Sequence, residues 1–184
     1  CAGRQWHERR RASKSPKNRI FMIGDGMGIA QLSAADLVNG GLSMSQIKYM
    51  GMQRTQPKGS FITDSAGAGS ALATGVKTNN RNIATDALGN AQTSITETMI
   101  ALGKQCGIAT NGNIADATPA AFYAHAVERD NADEISAWFL KTKLNFLAGS
   151  GESVIVKRKD GLDLKAELIK QYQYTKSIDE KLIA

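Results

Sequence analysis

The chain of 184 residues is 42% hydrophobic and 22% charged, which suits one globular domain with a sizeable core and excludes a fibrous or wholly disordered chain. Its longest apolar runs, such as Ile20–Ile23 and Phe146–Ala148, fall far short of the roughly 20 residues a membrane-spanning helix needs. The net charge of +6 sits in residues 1–19, where seven basic side chains face only Glu8, and the rest of the chain is balanced, so no folded basic face for nucleic acid is expected.

Residues 1–17 therefore read as a basic, flexible and solvated tail, in preference to an arm for nucleic acid or a membrane surface, and residues 18–184 as the folded domain. Cys1 and Cys106 make neither a disulfide framework nor a paired-cysteine zinc knuckle. A chain that begins with Cys has one precedent in bacterial lipoproteins after signal-peptide removal. That reading anchors Cys1 to lipid and places the chain in the periplasm or outside the cell; an arbitrary chain boundary explains the start equally well.

After the tail, Arg19–Ile23 is a continuous apolar run expected as a buried strand, and it ends in Gly24-Asp-Gly-Met-Gly28. A helix over about 29–38 follows, closed by Asn39-Gly40-Gly41. The alternation repeats. Phe61–Thr63 is a strand candidate, and Ser65–Thr74 a small-residue helix ending at Gly75. Ser94 and Glu97 are spaced as a capping box for a helix to about Leu102, before a strand at Gly107–Thr110. Thr118-Pro119 opens a helix over 119–126, and Asn131 opens another to about Lys143. Phe146–Ala148 returns as strand, and a helix over 162–170 precedes a short strand at 172–175 and a polar helix start at Ser177. Alternating strands and helices predict an α/β fold, a three-layer sandwich with a mostly parallel central sheet.

In open α/β sheets ligands bind beyond the carboxyl ends of the strands, which singles out Asp25, Asp64 with Ser65, and Asp116 with Thr118. Asp25 between two glycines reads either as a turn aspartate or as a carboxylate facing a cation. A dinucleotide loop fails on spacing, because the third glycine of G-x-G-x-x-G falls at Ile29 or Gln31. Ser65 at a strand-to-helix junction reads as a plain N-cap or as a nucleophile beside the positive helix end. The chain's two histidines, His7 and His125, lie far from it in sequence, so an activating metal suits Ser65 better than a Ser-His-Asp triad.

Three stretches, Lys17-Asn-Arg-Ile-Phe-Met-Ile-Gly-Asp-Gly-Met-Gly28, Thr63-Asp-Ser-Ala through Ala71-Leu-Ala-Thr-Gly-Val-Lys-Thr-Asn79, and Asp116-Ala-Thr-Pro-Ala-Ala-Phe-Tyr-Ala-His-Ala-Val-Glu-Arg129, resemble successive motifs of alkaline phosphatases. The resemblance runs from about residue 17 to the end. It implies an N-terminal, truncated portion of that fold and metal-dependent hydrolysis of phosphate monoesters. Ser65 would form a phosphoserine and Arg129 would clamp two phosphate oxygens, as a planar guanidinium can. Asp64 would ligate one zinc, and Asp25 would bridge a second zinc and a magnesium. Thr118 would ligate magnesium through its hydroxyl, and Asp116 would hold a water of its shell. His125 reads as structural rather than as a ligand.

Two departures stand out. The histidine-rich zinc ligands and the magnesium glutamate of the family do not follow in this chain, so a C-terminal half is the expected partner for a complete two-zinc site; a homodimer is left open. Arg81 stands where relatives commonly carry glycine, at the rim of the site. The alternatives are a non-catalytic piece that binds phosphate or magnesium weakly, or a related phosphodiesterase or phosphomutase; Arg129 with the Asp64-Ser65 pair favours the monoesterase.

Overall fold

The computed structural model describes residues 16–177. Most of the basic tail, with Cys1, and the continuation of the helix expected from Ser177 lie outside the described residues. The helices are α1 (Ile29–Asn39), α2 (Ser65–Thr74), α3 (Ile95–Ala101), α4 (Ala117–Ala120), α5 (Ala132–Ala137), α6 (Ser153–Val156) and α7 (Leu164–Ile169). Two strands, β1 (Gly107–Asn113) and β2 (Phe146–Ser150), pair in parallel, with α4 and α5 in the connection between them. The α/β class with parallel pairing follows, as the alternation of elements predicts.

Local chemistry sets the element ends. Ser94 and Glu97 close a reciprocal capping box on α3. Asn131 accepts a hydrogen bond from the Glu134 N–H at the start of α5. At the sheet, Ile108 pairs with Leu147 and Ala109 with Ala148. A Cβ at Gly149 would stand 2.6 Å from Thr110 Cγ2 and 2.7 Å from Ile114 Cγ2, so only glycine lets β2 lie this close to β1.

The core gathers around α4. Tyr123 is fully buried, stacks on Phe139 with ring centroids 4.9 Å apart, and donates its hydroxyl to the Ile114 carbonyl at 2.8 Å. Burial pushes its phenol far above the usual range, and the Asp116 charge adds to the shift. Ile83, Ile135, Leu164 and the small residues Ala66, Ala120, Ala121 and Ala124 complete the packing. The small residues serve close approach: a Cβ at Gly69 of α2 would meet Ala121 Cβ at 3.3 Å.

Several expectations are corrected. Residues 19–23, 61–63 and 172–175 form no strand, and Ile20, Met22 and Phe61 are at least 87% exposed. Apolar runs become strands only where a neighbouring strand satisfies their backbone groups, and among the described residues no strand pairs with these three. The helix expected over 119–126 stops after Ala120, because Ala126 leaves it to form an antiparallel bridge with Ile83, with N–H···O distances of 2.7 and 3.0 Å. The helix from Asn131 tightens into a 3₁₀ turn at Trp138–Leu140 rather than reaching Lys143. The N-cap of α2 is Asp64, not Ser65.

Candidate active site

Asp64 has extended backbone dihedrals and accepts the Gly67 N–H through Oδ1 at 2.8 Å, which caps α2 and leaves Ser65 as its first helical residue. The Ser65 hydroxyl, half-buried, then points out of the helix start and donates to Asp25 Oδ1 at 3.1 Å. Asp116 is the N-cap position of α4, which places Thr118 in its first turn. The Thr118 hydroxyl donates to Asp25 Oδ2 at 2.7 Å. Because α2 and α4 pack through Gly69, both hydroxyls reach one carboxylate: each oxygen of Asp25 takes one.

The second half of the site is organised by the other oxygen of Asp64. Oδ2 accepts the Arg81 backbone N–H at 2.9 Å and meets Arg129 Nη1 at 3.3 Å, with the two side chains 25% and 27% exposed. Partial burial strengthens this charged pair relative to one in open water. The Asp64 N–H in turn donates to Asn80 Oδ1 at 3.0 Å. Ser65, Asp25, Thr118, Asp64 and Arg129 are thus linked in two adjoining groups, joined through consecutive residues Asp64 and Ser65. Asp116 stands apart: its carboxylate takes the Asn113 N–H at 3.3 Å and makes no hydrogen bond to Asp25 or Thr118.

The rim carries more charge than the motifs indicated. Arg81 Nε donates to Glu128 Oε2 at 2.9 Å and Nη2 to Oε1 at 2.6 Å, and Nη2 also meets Asp130. The Arg81 guanidinium, and then the Asp130 backbone N–H, hold the Glu128 carboxyl below the usual carboxylate range. Asn80 and Glu128 were missed in the sequence, although an acid on each side of Arg129 was a visible sign that its charge would be contested.

His125 is structural. Its Nδ1 lies 2.8 Å from the Ala84 carbonyl, its Nε2 3.0 Å from Glu97 Oε1, and its ring meets Trp138 edge-on at 4.7 Å. Burial raises the Glu97 carboxyl, but the Ser94 N–H and the His125 ring outweigh it and leave the group below its ordinary value.

One carboxylate flanked by two hydroxyls is a hard oxygen donor set, and it fits magnesium with waters completing the shell. Catalytic zinc commonly takes about three protein ligands, often imidazole. The site offers zinc the carboxylates of Asp25 and Asp64, and among the described residues no three His, Cys, Asp or Glu side chains converge. By themselves, the described residues supply too few donors to complete a zinc site.

A parallel α/β pairing, with a serine heading a helix between two aspartates and an arginine beside it, defines a class of α/β proteins with a serine-centred polar site. The chain belongs to the alkaline phosphatase family, whose model matches residues 16–177. It is 39% identical over 160 residues to alkaline phosphatase 4 of Bacillus subtilis (strain 168), covering 78% of this chain and 34% of that protein. It is 32% identical over 134 residues to the human tissue-nonspecific isozyme, covering 62% of this chain and 26% of the isozyme. The solved alkaline phosphatase of the Antarctic bacterium TAB5 superposes with a TM-score of 0.81 at 32% identity, over 87% of this chain and 48% of that one. A mutant of that enzyme with magnesium bound superposes with a TM-score of 0.81 at 34% identity, over 87% and 47%. The chain spans between about a quarter and a third of the length of these curated relatives and about half that of the solved structures.

Proposed function

We propose that this chain carries the nucleophile half of a phosphomonoesterase site, with Ser65 as the attacking group and Arg129 as the phosphate clamp. The observation that carries the reading is the convergence of Ser65 and Thr118 on Asp25 beside the Asp64–Arg129 pair. The Ser65 oxygen gives its proton to solvent water and attacks phosphorus, the bond from phosphorus to the ester oxygen breaks, and the departing oxygen takes a proton back from solvent to leave as the alcohol. Asp25 Oδ1 accepts the Ser65 hydroxyl and aims its oxygen. Water then attacks the phosphoserine, releasing inorganic phosphate and restoring the hydroxyl. The positive end of α2 favours the phosphoryl charge, and the Arg129 fork can grip two of its oxygens.

Magnesium held by Asp25 and Thr118 would offset phosphoryl charge and lower the pKa of a hydroxyl it touches. Beyond Asp25 and Asp64, the histidine zinc ligands that the resemblance implies would come from the part of the family fold that this chain does not span. A second reading rests on that coverage: the chain by itself binds phosphate and turns nothing over.

The experiment uses the longest reading frame that contains the chain, quenched in acid during hydrolysis of a radiolabelled monoester. Label is expected on Ser65 and is lost in Ser65→Ala with the fold retained. Label on any other residue contradicts the assignment.

A further inference from the structure

Arg81 adopts a left-handed backbone with φ +73°, a conformation that costs an ordinary side chain about 1–2 kcal/mol and that glycine adopts freely. Surrounding contacts must hold it there. Ser70, fully buried on α2, donates to the Asn82 carbonyl at 3.0 Å and accepts the Ala84 N–H at 2.7 Å. The Ile83–Ala126 bridge ties the same loop to the segment leading into Arg129. Between these two ties, the Arg81 N–H reaches Asp64 and its guanidinium reaches forward to Glu128 and Asp130, the two acids that flank Arg129 in sequence. Arg81 and Arg129 thus approach the same Asp64 oxygen from two sides, one by its backbone and one by its side chain.

The alternative partner for Glu128 is Arg129 itself, whose charge already acts on that carboxyl after the Arg81 and Asp130 contacts. A carboxylate paired with Arg129 would compete with a phosphoryl oxygen for the same fork.

We propose that Arg81 is a positioning residue for Arg129: by engaging Glu128 and Asp130 it keeps both carboxylates off the Arg129 guanidinium, which stays with Asp64 and open to phosphate. This rests on the reading of Arg129 as the phosphate clamp. Because Arg81 touches no reacting atom in that reading, its removal changes anion affinity and leaves the Ser65 geometry alone.

The test is Arg81→Gly, which suits the left-handed backbone and so removes the guanidinium without a folding penalty there. Two readouts are taken on the full chain: inorganic phosphate affinity by calorimetry, and the contacts of the Arg129 side-chain N–H protons by nuclear Overhauser effects. Arg81→Gly is expected to weaken phosphate binding about fivefold or more, the scale of coupling inside one charge network, and to move Arg129 contacts from Asp64 to Glu128. Adding Glu128→Gln and Asp130→Asn to Arg81→Gly restores affinity to within about twofold of the parent, and Glu128→Gln alone leaves it unchanged to the same margin. Unchanged Arg129 contacts in Arg81→Gly, or a loss of affinity that the two amides fail to restore, overturns the proposal. If the parent binds no phosphate, the clamp reading fails, and the Arg129 contacts alone then decide the role of Arg81.

Discussion

Around α4 the chain buries Tyr123, Ile83 and Ile135 completely, whereas α1 buries none of its eleven residues and Ile20, Met22, Leu37 and Val38 stay 84–88% exposed. Both regions carry large apolar side chains, so their packing partners separate them. The contrast runs through the site. Ser65, Thr118 and Arg129 stand on the packed region, while Asp25 belongs to the exposed one. Asp25 is drawn in by two hydrogen bonds from Ser65 and Thr118, and its segment touches the packed region again where Phe21 meets Phe122 with ring centroids 5.9 Å apart. The arginine half of the site is therefore built into the core's edge, and the carboxylate half is held mainly by its own ligating geometry.

Mutations sharpen this difference. Tyr123→Ala removes a large buried ring and strands the Ile114 carbonyl, and is expected to cost about 3–5 kcal/mol. Leu37→Ala in α1, at 84% exposure, is expected to stay within about 0.5 kcal/mol. Denaturant titration checks both; a comparable loss at the two positions would erase the distinction between the regions.

A smaller effect probes the polar support under the site. The Glu97 carboxyl lies below its ordinary value of 4.5 through its Ser94 and His125 contacts. With a depressed native value, its contribution is complete above about pH 4.5 and is lost as pH falls through the native value. Glu97→Gln should therefore be less stable than the parent at neutral pH, and the gap should close in acid. A gap that stays constant across that range in pH-dependent melts would show that the His125–Glu97 contact carries no charge-dependent stability.

The legible parts of the fold were those encoded within a few residues. The capping box at Ser94 and Glu97, the helix from Ser65 to Gly75 and the strands at 107 and 146 all rest on local spacing, and all form. The strands at 19–23, 61–63 and 172–175 depend on neighbours that no local pattern specifies, and they do not form here. At the site, the order of motifs picked out Asp25, Ser65, Thr118 and Arg129, which the fold does bring together. The role of Arg81 was not legible beyond its unusual presence in a glycine position, because its two acid partners lie 47 and 49 residues away. Asp64 reads as a metal ligand from the motif alone, and no local pattern reveals that its oxygens also hold a helix cap, a loop and an arginine.

The most direct test of the central claim, that this chain builds a phosphate site on Arg129, is calorimetric titration of inorganic phosphate into the parent, Arg129→Ala and Arg129→Lys. A planar fork grips two oxygens where an ammonium offers a single point charge. The expected order is strongest binding in the parent, intermediate in Arg129→Lys and weakest in Arg129→Ala, with about tenfold or more between the extremes, as befits loss of a charge-assisted bidentate contact. Equal phosphate affinity in all three proteins would contradict the account.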